Sequence, residues 1–295
     1  MGSRIYRKKK PLFVFLIPAF IFMAIFLYYP FIKNIINSFQ VIPGLGSPAK
    51  GFQDPWYANY TKMFQDRHMR TALKNTVIMM GVTIFGQVGI SLILALLVDN
   101  IKKGAKFFQT VYFFPIVISA TALGLMFNLI FLYDKGMLNQ LLELFGKKSL
   151  TDWKDASHAM VTMMLPVMWQ YVGFYFVILI TGLNNISQDL YEVAAIDGAS
   201  KMQRVFYITL PLLRNVICTC VVLAVTGALK VFDFPWVMFP KGMPQGKTWL
   251  TGTYMYYQVF NTRNIGYSSA IAVFIVILGV ITSKIVNAIF KEKEY

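Results

Sequence analysis

Long apolar runs separated by short polar segments dominate the chain. A helix needs roughly 20 apolar residues to cross the hydrocarbon core of a bilayer, and six runs reach about that length. We therefore predict an all-α membrane protein with six transmembrane helices, which places both termini on the same side. The predicted spans are residues 12–31, 76–98, 107–133, 159–183, 216–239 and 266–289.

One polar segment between two of these runs carries the signals of folded structure. It starts at Ser187, a candidate helix N-cap, and reaches Gly198, where a helix C-terminus favours a residue that tolerates positive φ. Ser200 and Gln203 have capping-box spacing and predict a second short helix, which we expect Pro211 to end by forcing the preceding residue out of the α region. The small residues around the turn suit close docking against another protein.

The composition excludes a soluble globular protein. Hydrophobic residues make up 57% of the chain and charged residues 14%, and the mean hydropathy is +0.56, whereas soluble domains are nearer half apolar with about a quarter charged. The net charge of +15 raises nucleic acid as a partner, but the basic residues are scattered over loops and no nucleic-acid-binding motif accompanies them. We interpret this charge as a topology signal and as attraction to membrane lipid, with no nucleic-acid partner.

The basic residues divide almost evenly between the two sides of the predicted topology, so position decides the orientation. A cluster of basic residues immediately precedes the first span, and a short lysine-rich turn at 102–106 follows the second span. Charges close to the span ends set the orientation. We expect both termini in the cytoplasm and segments 33–74, 134–157 and 240–265 on the outer side. The N-terminal cluster consists of Arg4, Arg7, Lys8, Lys9 and Lys10.

The polar segment reads E-x-A-A-x-D-G-A and then carries Phe206, Ile208, Leu210 and Pro211. This pattern resembles the EAA loop of binding-protein-dependent ABC importer permeases, and most of all that of their carbohydrate branch. In that family the loop is the cytoplasmic coupling element that sits in a cleft of the ATPase subunit, which implies that role for residues 187–211. An interfacial helix pair packed on its own bundle is the alternative. The resemblance assigns ATPase coupling to Glu192, Ala194, Ala195, Asp197, Gly198, Ala199, Phe206 and Pro211.

Other stretches resemble the same family. They include G-F-Q-D-P-W-Y-A-N-Y-T-K-M-F in the first outer loop, Pro115 in the third span and the pair Phe232-Asp233 in the fifth. After that pair the family continues with T-x-G-G-P, of which this chain keeps one glycine and the last proline. The resemblance implies a type I ABC importer transmembrane domain at 72–290. Residues 1–71 would form a cytoplasmic tail, the first transmembrane helix and an outer loop, and 291–295 a cytoplasmic tail.

The resemblance also implies partners and a location. It describes a carbohydrate importer permease of the first-permease type in a bacterial or archaeal cell membrane. The implied partners are a second related permease, two ATP-binding subunits, an extracytoplasmic solute-binding protein and the carbohydrate itself. ATP hydrolysis then resides in the partner subunits, and no cofactor is expected in this chain.

No catalytic or metal site is predicted. The stretch G-M-P-Q-G-K-T at 242–248 resembles a phosphate-binding loop, but it has three residues between its glycines where that motif needs four. His68 and His158 lack metal-ligand spacing, and Cys218 and Cys220 point to different sides of one predicted helix. We therefore predict that the chain is not an enzyme.

Two predicted helices carry candidate residues for a cargo path. A saccharide needs aromatic faces for its C–H surfaces and hydrogen-bonding groups for its hydroxyls. One set shares a face of the fourth span, and the other lies at i, i+3 and i+6 of the fifth, where intramembrane charges must face protein or water. A self-satisfying Lys–Asp pair and ordinary aromatic packing are the alternatives. The two sets are Gln170, Tyr171 and Phe174, and Lys230, Asp233 and Trp236.

Two other functional classes compete with an importer permease. A stand-alone secondary transporter or channel subunit would need inverted repeats or a chain of intramembrane carboxylates, and neither is visible beyond Asp233. A membrane enzyme is the third alternative. The sequence does not name the sugar.

Overall fold

The chain is almost wholly helical in its computed structural model, which describes residues 9–99, 101, 104–146 and 150–291, with side chains from residue 13 onward. Arg4, Arg7, Lys8, Lys102, Lys103 and residues 292–295 lie outside the described residues. The first helices are α1 (Lys9–Met23), α2 (Tyr29–Asn37), α3 (Ala58–Gln65), α4 (Arg67–Val82), α5 (Ile90–Asp99), α6 (Ala105–Val117), α7 (Ala120–Ile130) and α8 (Met137–Leu144). They are followed by α9 (Ala159–Asn184), α10 (Gln188–Ile196), α11 (Lys201–Arg204), α12 (Leu210–Lys230), α13 (Asp233–Met238), α14 (Thr251–Phe260) and α15 (Ile265–Phe290).

Helices long and apolar enough to cross a membrane account for most of the described chain. Five qualify by length and composition, and a sixth does so if the bent pair α6 and α7 forms one span. Several of them continue through short π-helical turns, at Ala24–Tyr28, Thr83–Gly89 and Val205–Thr209. A helix satisfies its own backbone polar groups, which the hydrocarbon core of a bilayer cannot do. The all-α prediction is therefore confirmed. The five spans are Phe13–Asn37, Arg67–Asp99, Ala159–Asn184, Lys201–Met238 and Ile265–Phe290.

The chain divides into two compact units. The first comprises Met1–Gln65 and Met255–Phe274. In this unit Asn59 is buried and donates a hydrogen bond to the carbonyl of Ser38 at 2.9 Å, which joins α3 to the end of α2. The most apolar stretch of its first span leaves all of its side chains exposed, so that helix offers its surface to lipid or to another subunit.

The second unit comprises Asp66–Tyr254 and Ile275–Tyr295 and contains the main hydrophobic core. Helix α9 packs against α5, α6 and α12, and small residues allow the close approach. A Cβ atom on Gly173 would lie 1.8 Å from the carbonyl oxygen of Tyr112 in α6. On the other side of α9, Ser91 Oγ donates to the carbonyl oxygen of Val172 at 2.5 Å. Backbone contact therefore fixes α9 at the centre of this unit.

The third predicted span, 107–133, is not one straight helix. Helix α6 ends at Val117, α7 begins at Ala120, and the two meet at 92°. Pro115 lies in the last turn of α6, where its missing N–H weakens the helix, and the next residues are extended, with ψ 138° at Ile118. Pro115 thus lies directly before a full break of the third span.

The fifth predicted span, 216–239, starts too late, whereas its predicted end agrees with the span Lys201–Met238. The helix begins as early as Lys201 and continues through Pro211, because the π-helical turn Val205–Thr209 lies immediately before the proline. Leu210 keeps α-helical angles, with φ −64° and ψ −42°. At the other end the helix stops at Lys230, and α13 starts only at Asp233. Pro211 therefore does not end the second helix of the polar segment, contrary to the prediction.

Candidate functional site

The polar segment folds as a helical hairpin, which we call the polar hairpin and define as residues 187–211. Ser187 Oγ accepts the backbone N–H of Asp189 at 3.3 Å at the start of α10. Ser200 Oγ accepts the N–H of Gln203 at 3.3 Å, and Gln203 Oε1 accepts the N–H of Ser200 at 2.7 Å. This is a complete capping box, so both predicted N-caps are confirmed.

Gly198 makes the turn between the two helices of the hairpin. Its φ is +79°, a conformation that glycine adopts without steric cost. The N–H of Ala199 donates to the carbonyl of Ala194 at 2.8 Å, and the N–H of Gly198 donates to that of Ala195 at 3.1 Å. This is the Schellman pattern, which satisfies the last carbonyls of α10. A Cβ atom added at Gly198 would have no heavy atom within 4 Å, so a side chain there would be strained by backbone conformation rather than by crowding.

The polar hairpin exposes large apolar side chains. The exposed fraction is 85% for Ile196, 79% for Tyr207 and 64% for Met202, and Phe206 is exposed as well. Met202, Phe206 and Tyr207 therefore do not pack into the core of this chain. Exposed apolar side chains that cluster among polar ones mark an interaction surface.

The charges and small residues of the hairpin are also accessible. Glu192 and Asp197 are exposed, and neither is in an ion pair within the described part of the chain. At the end of the hairpin away from its turn, the hydroxyl groups of Tyr191 and Thr209 share a hydrogen bond of 3.0 Å. This bond fixes α10 to the residue directly before α12 and leaves the turn at Gly198 exposed. Ala195, Gly198 and Pro211 are exposed, and Ala194 and Ala199 are half-buried.

A cavity of about 190 Å³ lies within the second unit. It is lined by four of the six residues predicted for a cargo path, by both sides of the break between α12 and α13, and by the first residue of α7. Gln170 is buried, whereas Tyr171, Lys230 and Asp233 are exposed. The lining residues are Thr83, Gln87, Ala120, Val167, Gln170, Tyr171, Tyr175, Ala224, Gly227, Ala228, Lys230, Val231, Phe232, Asp233 and Phe234.

Two predicted path residues do not line the cavity. Phe174 packs edge-on against Tyr175, with ring centroids 5.2 Å apart. Trp236 stacks on Phe232, with centroids 5.6 Å apart and planes 15° apart. Both aromatics thus serve as packing around the cavity.

Lys230 and Asp233 do not form the predicted helical line. Lys230 is the last residue of α12 and Asp233 the first of α13, with Val231 and Phe232 in non-helical conformations between them. A cation at a helix C-terminus and an anion at a helix N-terminus each suit the helix dipole, so the break stabilises both charges. The alternative of a self-satisfying pair is not seen, because no ion pair joins the two side chains in the part of the chain that the structure describes.

Gln170 connects the cavity to the break between α6 and α7. Its Nε2 donates to the carbonyl of Ile118 at 3.2 Å, which satisfies a carbonyl freed by the break. Its Oε1 is buried and has no hydrogen-bond partner, and the side chain is only 3% exposed. A buried acceptor without a donor costs free energy, so it is a position where a ligand hydroxyl would be stabilising.

The second span also contributes to the cavity, which we did not predict from the sequence. Thr83 and Gln87 lie one turn apart in its π-helical segment, and both are buried beside the cavity. Gln87 Nε2 donates to the carbonyl of Val167 at 2.8 Å. The signal was present in the sequence, since two polar residues at i and i+4 in an apolar run predict a shared polar face.

The phosphate-loop look-alike at 242–248 forms a structural turn on the second unit. It follows a short 3-10 turn, Pro240–Gly242, rather than a strand. The buried side chain of Asn75 donates to the carbonyls of Lys247 at 2.6 Å and Trp249 at 2.9 Å. These two hydrogen bonds from α4 fix the end of the stretch.

His158 pairs through Nδ1 with Asp155 at 2.8 Å near the start of α9, and both cysteines are free thiols. Within the described ranges, no three His, Cys, Asp or Glu side chains are arranged to hold a metal ion.

Comparison with known proteins places the chain in a family. The sequence model of the family described as "Binding-protein-dependent transport system inner membrane component" matches residues 87–293. The chain belongs to this family. It is thus the multi-pass, non-catalytic inner-membrane component of a transport system that also includes a binding protein. Family membership decides against the two alternatives, a stand-alone secondary transporter or channel subunit and a membrane enzyme.

Curated relatives match over almost the whole length. The Probable ABC transporter permease protein YurN of Bacillus subtilis is 35% identical over 283 residues, covering 95% of each chain. The Arabinooligosaccharides transport system permease protein AraP of Halalkalibacterium halodurans is 30% identical over 271 residues, covering 90% of this chain and 83% of the relative. The Sulfoquinovosyl glycerol transport system permease protein SmoG of Agrobacterium fabrum is 29% identical over 282 residues, covering 95% and 90%.

A solved structure supports the same fold. A chain of the bacterial alginate ABC transporter in complex with alginate pentasaccharide-bound periplasmic protein superposes with a TM-score of 0.82 at 21% identity. The match covers 95% of this chain and 93% of that one. The fold of an ABC importer permease is therefore confirmed.

Proposed function

We propose that the chain is a permease subunit of an ATP-driven importer of a carbohydrate in a bacterial or archaeal cell membrane. The relatives support this proposal, because those with a named cargo transport arabinooligosaccharides and sulfoquinovosyl glycerol. The subunit works with a second related permease, two ATP-binding subunits and an extracytoplasmic solute-binding protein. Its N-terminal anchor suits the first-permease position in a heterodimer.

The polar hairpin docks an ATP-binding subunit. The observation that carries this assignment is its shape: a rigid, fully capped hairpin that exposes Ile196, Met202 and Tyr207 to a partner. Glu192 and Asp197 add charge to the same surface. Burial of the exposed apolar side chains on docking is stabilising, at about 25 cal/mol per Å² of apolar surface.

The hairpin and both termini lie on the cytoplasmic side. Six crossings put the termini together, and the basic residues before the first span favour the cytoplasm. The same topology places segments 33–74, 134–157 and 240–265 outside. The hairpin then reaches the compartment that contains ATP.

The cavity in the second unit lies on the cargo path. Tyr171 offers an aromatic face to sugar C–H groups, and Lys230 and Asp233 offer a donor and an acceptor to hydroxyls. Breaks in two spans adjoin the cavity, and irregular backbone at membrane depth occurs where a protein lines a cavity. Phe174 and Trp236 do not line the cavity but pack against lining residues.

Substitution of Gly198 tests the docking role. Gly198→Leu forces a side chain into a left-handed conformation, at a cost of roughly 1 to 2 kcal/mol, and should distort the turn. In the reconstituted complex we expect ATP-binding subunits to dock less tightly and ATP hydrolysis to lose its link to cargo uptake. Binding of the ATPase subunit, ATP hydrolysis and uptake are measured together.

Gly146→Leu is the matched control. Gly146 also has positive φ, at +90°, and equally open surroundings, but it lies in the proposed outer segment. Its variant should transport like the parent. A Gly198→Leu complex that docks and imports normally would show that the polar hairpin is not the coupling element.

A further inference from the structure

Arg214 links the polar hairpin to the end of the last helix. It lies on α12, three residues after Pro211. Its Nη2 donates to the carbonyl of Ile289 at 3.3 Å and to that of Lys291 at 3.0 Å, across 75 and 77 residues of sequence. Residues 214, 289 and 291 all belong to the second unit.

One acceptor, Ile289, lies in the last turn of α15, and the other, Lys291, directly follows the helix. The last four carbonyls of a helix have no intrahelical partner, and a cation near them is favourable because of the helix dipole. The last turn of α15 contains no basic residue. Arg214 therefore caps α15 from a different helix and supplies both the donors and the charge.

An open groove lies at this junction. It has a volume of about 450 Å³ and is lined by Asn215, Cys218, Asn287, Ala288, Phe290 and Lys291. One turn deeper, Cys218 Sγ approaches Asn287 Oδ1 at 3.6 Å. The ends of α12 and α15 thus share three polar contacts beside the groove, and the two bonds of Arg214 are the shorter ones.

The hairpin connects rigidly to Arg214. The helix that starts at Lys201 continues through the π-helical turn into α12 without a break, and the Tyr191–Thr209 hydrogen bond fixes α10 to its side. A displacement of the hairpin therefore reaches Arg214 along one helix. From there the two carbonyl bonds carry it to α15.

We propose that Arg214 is a positioning residue of the transport cycle, which makes the end of α15 move together with the polar hairpin when an ATP-binding subunit displaces it. The proposal rests on the coupling role proposed for the hairpin. Without Arg214 the subunit still docks and ATP is still hydrolysed, but the last helix follows the hairpin less closely. Cargo imported per ATP then falls.

The first test measures this ratio in the complete complex in proteoliposomes. Arg214→Ala should lower cargo imported per ATP by roughly 5-fold or more, the smallest effect typical of coupling between sites. Arg214→Lys keeps a donor for one carbonyl and should fall between parent and Arg214→Ala. Lys284→Ala, which removes an exposed cation from α15, should leave the ratio unchanged. A merely structural role would reduce assembly and leave the ratio of the assembled complex intact.

A disulfide provides a second test that does not depend on how Arg214→Ala assembles. Asn287→Cys faces Cys218 across the junction, so mild oxidation with copper phenanthroline should join α12 to α15. We expect the joined Asn287→Cys variant to import normally, because the two ends move as one body, and the joined Arg214→Ala/Asn287→Cys double variant to recover the parental ratio. Loss of import in the joined Asn287→Cys variant, failure of the disulfide to rescue the double variant, or a parental ratio in Arg214→Ala alone would each overturn the proposal.

Gly198→Leu in the same assay separates the two proposals. If Gly198→Leu is uncoupled while Arg214→Ala is normal, the hairpin couples and the link through Arg214 fails. If Gly198→Leu itself imports normally, the failure lies in the proposed function of the hairpin.

Discussion

Replacement of Gln170 tests whether the cavity contacts cargo. Gln170→Leu leaves the Ile118 carbonyl without its donor, which costs about 1 to 3 kcal/mol, and it also removes a buried acceptor whose lack of a partner costs about as much. The two effects oppose each other, so we expect the stability of the subunit to change by no more than about 1 kcal/mol. If Oε1 accepts a cargo hydroxyl, loss of that bond costs about 0.5 to 1.5 kcal/mol, or about 2- to 13-fold in uptake efficiency.

Asn75→Leu is the matched control. Asn75 is also a buried amide that donates to backbone carbonyls, at Lys247 and Trp249, but it does not line the cavity. Its replacement leaves two carbonyls without their donor and should destabilise the subunit by roughly 2 kcal/mol or more, with unchanged uptake efficiency per assembled complex. Thermal unfolding and uptake efficiency per assembled complex are measured for both variants. Parental uptake by Gln170→Leu, or equal effects of both variants, would refute the cargo contact.

Two further predictions concern packing and pH. Gly173→Ala should destabilise the subunit by about 1 to 3 kcal/mol, because the added Cβ would overlap the carbonyl of Tyr112. Gly81→Ala is the control, because a Cβ atom at Gly81 would have open surroundings. Equal thermal stability of the two variants would contradict the observed approach of α6 and α9. The backbone N–H of His158 is the main cause that lowers the pKa of Asp155 to about 2, with further hydrogen bonds from the His158 ring and from Ser157. The hydrogen bond from the His158 amide to the Asp155 carboxylate should therefore persist at pH 4 and be lost as the pH falls towards about 2. Its loss is measured as lower protection of the His158 amide against hydrogen exchange, and protection that is lost already above pH 4 would contradict this.

Local sequence signals predicted the polar hairpin well. Ser187, Ser200 and Gln203 form the expected caps, and Gly198 has the expected positive φ, because each of these features depends on residues only a few positions apart. The effect of Pro211 was not predictable in the same way. A proline ends a regular α-helix, but the π-helical turn before it shifts the hydrogen-bond register, and nothing in the local pattern indicates that turn.

The cavity required tertiary contacts that spacing does not reveal. Gln170 and Phe174 share a helical face, yet only Gln170 lines the cavity, because the break after α6 brings Ile118 against it. Lys230 and Asp233 both line the cavity, but they flank a break between two helices instead of lying on one helix. The residue types were thus predictable from their chemistry, and their arrangement depended on where two spans break.

Cross-linking from the polar hairpin tests the central claim most directly. Ile196→Cys and Phe145→Cys place a thiol at similarly exposed positions, 85% and 87%, one on the hairpin and one in the proposed outer segment. In the assembled complex, a short bifunctional reagent should join the thiol of Ile196→Cys to the ATP-binding subunit and leave that of Phe145→Cys unjoined to it. A cross-link from Phe145→Cys to that subunit, or none from Ile196→Cys in a complex that imports cargo, would contradict both the docking role of the hairpin and the orientation of the chain.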